Sequence, residues 1–244
     1  MLIGSGNGGT RQRNTYVANA VSFDGTNDWL SKASDFTGAA DGKSFTLSMW
    51  VKLANTTTAY RLWSANASNK LDLLTTVGGK FHFIGRNYAG ADILADANMG
   101  TTSTSWQHIQ IAADLANSVA YLYLNDVLAE SSWDTGPTND ALDLTPGGWG
   151  VGARQDGGAK LNGDMADVWF HDTFIDISIE ANRRKFIDYR GRPVYLGPTG
   201  SIPTGSQPIV YLGNAFSTWH NNLGSGGDLV ANGSLTAAAT SPSG

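Results

Sequence analysis

Residues 44–53 place Phe45, Leu47, Met49, Val51 and Leu53 on one phase and Thr46, Ser48, Trp50 and Lys52 on the other. Successive side chains of a strand point to opposite faces, so this strict period of two specifies a β-strand with one apolar face and one face that presents a tryptophan. Such a strand needs hydrogen-bonded neighbours and a second layer over its apolar side. The chain supplies strands for both purposes. Of its 21 acidic residues only Glu130 and Glu180 are glutamates. The others are aspartates, which favour turns and caps where glutamate favours helix interiors. With 30 glycines in 244 residues, short strands joined by many turns are the expected architecture.

Along the chain, strand patterning recurs about every ten residues. It spans 17–30 around the turn dipeptide Asp24-Gly25, then 60–65, 70–76, 80–86 and 92–95. Residues 106–113 and 118–125 predict a hairpin, and 148–153 and 163–171 two further strands. Helical spacing predicts one helix over 178–189, set by Ile179, Phe186 and Ile187, capped by Asp176 or Ser178 and stopped by Gly191 and Pro193. A Gly/Pro/Ser/Thr-rich connector follows over 191–207, after which strand patterning resumes at 208–212 and 228–235. Residues 1–15 show neither period and read as a flexible glycine-rich arm, with 16–244 forming one domain that the stretch 208–244 completes.

A net charge of −5 argues against general affinity for nucleic acid, and the absence of cysteine removes disulfides, thiolate nucleophiles and zinc–sulfur sites. No stretch reaches the length of a membrane span, and the first residues lack the apolar core of a secretory signal. Gly4, Gly6 and Gly9 satisfy G-x-G-x-x-G, but no strand precedes them and no helix follows, so a dinucleotide loop is not expected.

Four segments carry a family resemblance: VSFDGTNDWL at 21–30, FTLSMWVKL at 45–53, the WQHI plus YLYLND hairpin, and LNGDMADVWFHDTFI at 161–175. Together, over about 17–190, they resemble the concanavalin A-like, laminin-G-like superfamily. The resemblance implies an all-β antiparallel sandwich, or jelly roll, with one short helix near its C-terminal part. In many such domains a strand before the FDG motif packs beside the last strands. Here only the arm precedes that motif, so the C-terminal strands are expected to fill the place. The stretches 178–212 and 224–244 also resemble the ends of laminin-G-like proteins of tailed phages and prophages, which implies a virion component.

Laminarinase-type enzymes on this fold use paired glutamates along one strand, and neither Glu130 nor Glu180 reproduces that pair. Asp164 and Asp167, three apart on a strand, are expected on opposite faces. No enzyme activity is therefore expected. Several superfamily members bind calcium through loop oxygens, so the resemblance makes calcium the candidate cofactor and Asp156, Asn162 and Asp164 its ligands. The competing reading is that Asp-Gly and Asn-Gly are ordinary turn formers. Trp63, Tyr88 and Trp133, flanked by polar residues, read as exposed loop aromatics on which sugar rings could stack. Arg11, Arg13, Arg183, Arg184 and Lys185 concentrate basic charge in the arm and helix, suited either to docking on an acidic partner or to a solvated face.

The leading expectation is a non-enzymatic phage adhesion protein, part of a capsid decoration, tail or fibre. It would be assembled in the host cytoplasm as a homo-oligomer among other virion proteins and would touch host surface polysaccharide. The alternative is a carbohydrate-binding module recognising host glycans, and the third reading is a degenerate glycosidase. Neither direct nucleic-acid contact nor membrane insertion is expected.

Overall fold

The computed structural model describes residues 15–66 and 70–244. They form two antiparallel sheets packed face to face. One sheet combines β10 (Val127–Glu130), β9 (Val119–Leu124), β8 (Gln107–Asp114), β3 (Ser44–Leu53), β12 (Asn162–His171), β1 (Ala20–Asp24) and β15 (Thr236–Ala237) in that spatial order, with β13 (Val210–Leu212) also paired to β12. The other runs β14 (Val230–Asn232), β2 (Trp29–Lys32), β11 (Trp149–Val151), β4 (Arg61–Ala65), β5 (Leu71–Thr75), β6 (Phe81–Arg86) and β7 (Asp92–Met99). The sandwich expected from the sequence is present.

Local chemistry fixes the turns. At the first hairpin, Asp24 Oδ1 accepts from the backbone N–H groups of Thr26, Asn27 and Asp28 at 2.7, 2.9 and 3.2 Å. Gly25 has φ +74°, and a Cβ there would lie 2.8 Å from that of Asn162, so only glycine fits. Between β9 and β10 the two-residue turn Asn125-Asp126 has φ +48° and +68°, the left-handed pair that matches the twist of a hairpin. This turn adds β10, a strand that the sequence pattern does not mark.

The alternation in β3 sends Phe45, Leu47, Met49, Val51 and Leu53 into the inter-sheet core. Its other face is buried too. Thr46 donates to the carbonyl of Thr173 at 2.8 Å and accepts from Ile175 N–H at 2.9 Å, while Ser48 bonds His108 Nε2 at 2.9 Å and Trp50 stacks on that imidazole at 4.6 Å. The cover is the segment after β12. Trp169, Ile175, Ile177, Phe186, Leu196 and Tyr211 form a second apolar cluster there, locked by Trp169 Nε1 donating to Gly200 O at 2.8 Å.

The predicted helix shrinks to α1 (Glu180–Arg183). Neither expected cap caps it: Ile179 holds that position without a side-chain bond, and Asp176 Oδ1 instead accepts from Ser178. Further along, Asp188 Oδ1 accepts from the N–H groups of Arg190 and Arg192, closing a turn around Gly191, where the helix is expected to stop. Beyond the connector, β13 pairs with β12, β14 with β2 and β15 with β1. The last segment thus feeds both sheets.

One expectation about β12 is reversed. The register slips between Ala166 and Trp169, and Asp167 takes φ +45° within the strand. Met165 and Val168 both point into the inter-sheet core, so the bulge shifts the phase and leaves Asp164 and Asp167 on the same outer side. They still do not form a pair. Asp164 faces Lys52 at 3.6 Å, whereas Asp167 is buried and accepts from the hydroxyl of Tyr16 at 2.9 Å.

Burial pushes the Asp167 carboxyl up from 3.8 to about 7, against the lowering effect of its bonds from Tyr16 and Tyr211. The folded chain therefore retains a proton that the unfolded chain releases, and this contribution to stability falls as pH rises from about 4 to about 7. Asp167→Asn should remove that slope, which approaches about 1.4 kcal/mol for each pH step of one within this window. Urea denaturation across this pH range measures the difference; parallel wild-type and variant curves would rule it out.

Candidate functional site

Alternation in the seven-stranded sheet sorts its side chains. Leu62, Trp63 and Ala65 of β4, Leu71 and Leu73 of β5, and Phe81 and Phe83 of β6 join the inter-sheet core. Their alternates, Arg61, Ser64, Asp72, Leu74, His82 and Ile84, belong to none of the apolar clusters and form the outer face. A polar array results. Asp72 Oδ2 lies 3.0 Å from Arg61 Nε, and its Oδ1 accepts from Ala65 N–H at 3.2 Å. Arg86, at the end of β6, pairs with Asp92 of β7 at 2.6 Å.

These groups feel one another. Burial raises the Asp72 carboxyl to about 6, opposed by Arg61, by bonds from Ser64 and Ala65, and by Arg86. Arg61 is lowered by burial, with Asp72 acting against that and Arg154 adding to it. His82 is also lowered, first by burial and then by Arg61, while Asp96 and Asp92 pull the other way. His82 therefore presents a neutral ring at neutral pH, able both to donate and to accept a hydrogen bond.

Two structures border the array. On one side residues 152–158 fold back over β11 and β2: a Cβ on Gly150 would meet Ala153 O at 2.4 Å, and one on Gly157 would lie 3.0 Å from the Trp29 ring. That loop brings in Arg154, and Lys160 sits over Trp29 at 4.8 Å. On the other side the turn 87–91 carries Tyr88, whose side chain is exposed (81%). Lys70 pins this turn by donating to the carbonyls of Asn87 at 3.0 Å and Tyr88 at 2.6 Å while pairing with buried Asp143 at 3.1 Å. Its ammonium lies 5.6 Å from the Tyr88 ring centre. Asn87 tightens the turn, accepting from Ala91 N–H and donating to Asp140. Tyr88 is thus an exposed ring on a fixed support.

Tyr88 is the one aromatic of the three predicted that is available to a ligand. Trp63 has no exposed surface and packs against Phe36, Trp149 and Phe170. Trp133 is also buried, meeting Phe83 edge-on and donating Nε1 to Ala120 O at 3.1 Å. Both readings as exposed aromatics are corrected, because polar neighbours in sequence do not prevent an inward side chain.

The predicted calcium ligands do not form a cage. Asp156 Oδ1 accepts from Gly158 N–H at 2.9 Å, closing its own turn, with Arg154 Nε at 3.6 Å. Asn162 and Asp164 line a cleft of about 200 Å³, but Lys52 lines it too and already supplies the positive charge beside Asp164. Among the described residues no three His, Asp or Glu side chains gather in a way that could hold a metal ion.

The predicted docking arginines are committed internally. Arg183 bonds Asp126 at 2.6 Å and the carbonyls of Ile177 and Ser178, and lies over the Tyr123 ring at 4.3 Å. Arg184 pairs with Asp126 at 2.5 Å and Glu180 at 2.9 Å. Lys185 makes no ion pair among the described residues. Arg11 and Arg13, with the arm, lie outside the described residues. The array of Arg61, Asp72, His82, Arg86 and Asp92 escaped the sequence reading because it is spread over four strands. Its trace is the polar member within each apolar run, such as Asp72 in LDLL and His82 in FHF.

The sequence profile described as "Concanavalin A-like lectin/glucanases superfamily" matches residues 24–176. Comparison with curated proteins returned no match. Among solved structures, a proposed carbohydrate-binding protein from Bacteroides ovatus superposes with TM-score 0.60 at 12% identity, covering 92% of this chain and 61% of that one. The chain thus spans about three fifths of that protein's length. The heptameric SAP-like pentraxin of Limulus polyphemus superposes with TM-score 0.50 at 11% identity, covering 90% of this chain and 94% of that one. At such identities the likeness establishes the fold.

The opposed roles of Trp63 and Tyr88 are measurable. Trp63→Ala should cost about 3–5 kcal/mol of folding stability, as for large aromatic truncations in cores. Tyr88→Ala should stay within about 0.5 kcal/mol of wild type. Equal losses in urea denaturation would contradict the assignment.

Proposed function

The chain belongs to the concanavalin A-like lectin/glucanases superfamily, and from that premise we propose that it is a carbohydrate-binding module acting without catalysis, with the outer face of the seven-stranded sheet as its binding surface. The observation that carries this reading is the polar array on that face. Arg61, His82, Arg86 and Asp92 offer donors and acceptors on rigid strands, and the fixed, exposed Tyr88 ring two residues beyond Arg86 offers a surface for the C–H face of a sugar. The Bacteroides ovatus protein, described as a proposed carbohydrate binder, supports the same class of ligand.

The chemistry on this face favours holding over cleaving. Asp72, the acid with the raised pKa, has no exposed surface and is occupied by Arg61, so it has no path to a glycosidic oxygen. Glu130 Oε1 accepts from the N–H groups of Ser131 and Ser132 at the end of β10, and Glu180 Oε1 pairs with Arg184 on α1, so the two glutamates do not share a strand. Placement in a phage particle rests on the likeness of 178–212 and 224–244 to phage-encoded chain ends. In the fold these stretches supply β13, β14 and β15 and much of the cover over the eight-stranded sheet, a structural task in any such sandwich.

A glycan array probed with the whole chain tests the proposal. The wild type should retain at least one glycan, and Arg86→Ala and Tyr88→Ala should each weaken retention about tenfold, as expected for one charge-assisted hydrogen bond or one stacked ring. Melting temperatures should stay close to wild type, and the retained glycan should be recovered intact after incubation. Retention unaffected by both substitutions, or no retention at all, would overturn the assignment. Released sugar would overturn its non-catalytic part.

A further inference from the structure

The outer side of the eight-stranded sheet carries a separate groove of about 280 Å³. Three segments build it: the stretch after β12 with Phe174 and Asp176, the helical turn with Asn182 and Lys185, and the connector with Pro203 and Thr204. Its volume falls just under the roughly 300–1,000 Å³ of pockets for drug-sized ligands, which suits one ring and not a chain.

The lining is preset. Asp176 Oδ1 is held by the N–H of Ser178 at 3.0 Å and its hydroxyl at 2.5 Å, and Asp176 Oδ2 has no hydrogen-bond or ion-pair partner among the described residues. Asn182 donates Nδ2 to Asp176 O at 2.9 Å, which leaves its Oδ1 as the acceptor. Thr204 spends its hydroxyl proton on Ser206 O at 2.9 Å, and its oxygen accepts from Ser206 N–H at 3.2 Å, so it shapes the groove wall through its methyl group. Lys185 is the member of the basic run that Asp126 does not neutralise, and it makes no ion pair among the described residues. Phe174 packs against the outer apolar cluster and Pro203 is buried, so the floor is apolar.

An ammonium donor, carboxylate and amide acceptors and an apolar floor describe the two-sided chemistry of a sugar. One sugar hydroxyl would accept from Lys185, others would donate to Asp176 and Asn182, and the C–H face of the ring would rest on Phe174. A simple anion is disfavoured by Asp176, and a simple cation by Lys185. We propose that this groove is a second saccharide site for a single pyranose ring, on the opposite side of the sandwich from the polar array. The inference stands on the groove alone and does not require the seven-stranded face to bind anything.

The test uses NMR of the whole chain titrated with methyl α-glucoside, methyl α-galactoside and methyl α-mannoside. At least one should give saturable shifts at the Asn182 side-chain amide and the Thr204 methyl. Lys185→Ala should weaken that binding about tenfold at unchanged melting temperature, and Arg86→Ala should leave the groove shifts as in wild type. Groove shifts without glycan-array binding would support this site while the other fails. No groove shift with any of the three glycosides, or shifts undiminished in Lys185→Ala, would overturn it.

Discussion

Phe36, Trp63, Trp149 and Phe170 meet between the sheets with ring centres 5.1–6.1 Å apart, and most of what the molecule presents outside depends on that stack. Trp63 and Trp149 come from adjacent strands of one sheet, Phe170 from the centre of the other, and Phe36 from the loop between β2 and β3. Phe45 extends the contact to Phe83 at 5.6 Å. Wide rings set the gap between sheets at the roughly 10 Å such sandwiches keep. Because strand side chains alternate, seating Trp63, Leu73 and Phe83 inward commits Asp72 and His82 to the outer face. The position of the polar array is therefore a consequence of the core.

Much of this was legible in sequence wherever one residue type had one use. The alternation of β3, the Asp24-Gly25 turn and the hairpin of β8 and β9 are local signals, and each appears in the fold. Trp63, Tyr88 and Trp133 share polar neighbours, yet the first and last are buried and the second is open. The difference is set by partners far along the chain: Phe170 for Trp63, and Lys70 for Tyr88. Asp167 is harder still. Its strand bulges, which changes the phase of every side chain beyond it, and no count of residues within β12 could locate that slip.

The outer side of the eight-stranded sheet shows the same limit from another direction. Thr46, Ser48 and Trp50 look like solvent-facing alternates, but the segment after β12 covers them, and each finds a partner under that cover. His108 is wholly buried beside Trp50, and burial drives its imidazole down to about 3, so it packs as a neutral ring. A polar residue on a strand tells that a hydrogen bond must be made. It does not tell whether water or a later loop makes it.

The two ends of the described domain meet. Ala18 N–H donates to Ser243, Ser241 donates to Ala18 O, and Ala238 N–H donates to Ala20 O, while β15 runs antiparallel beside β1. A mechanical pull applied between residue 16 and residue 244 thus acts at the same end of both strands. The bonds load one after another, as in opening a zip, instead of sharing the force in shear. Under tension β15 would peel away at low load, with the aromatic stack between the sheets still unstressed.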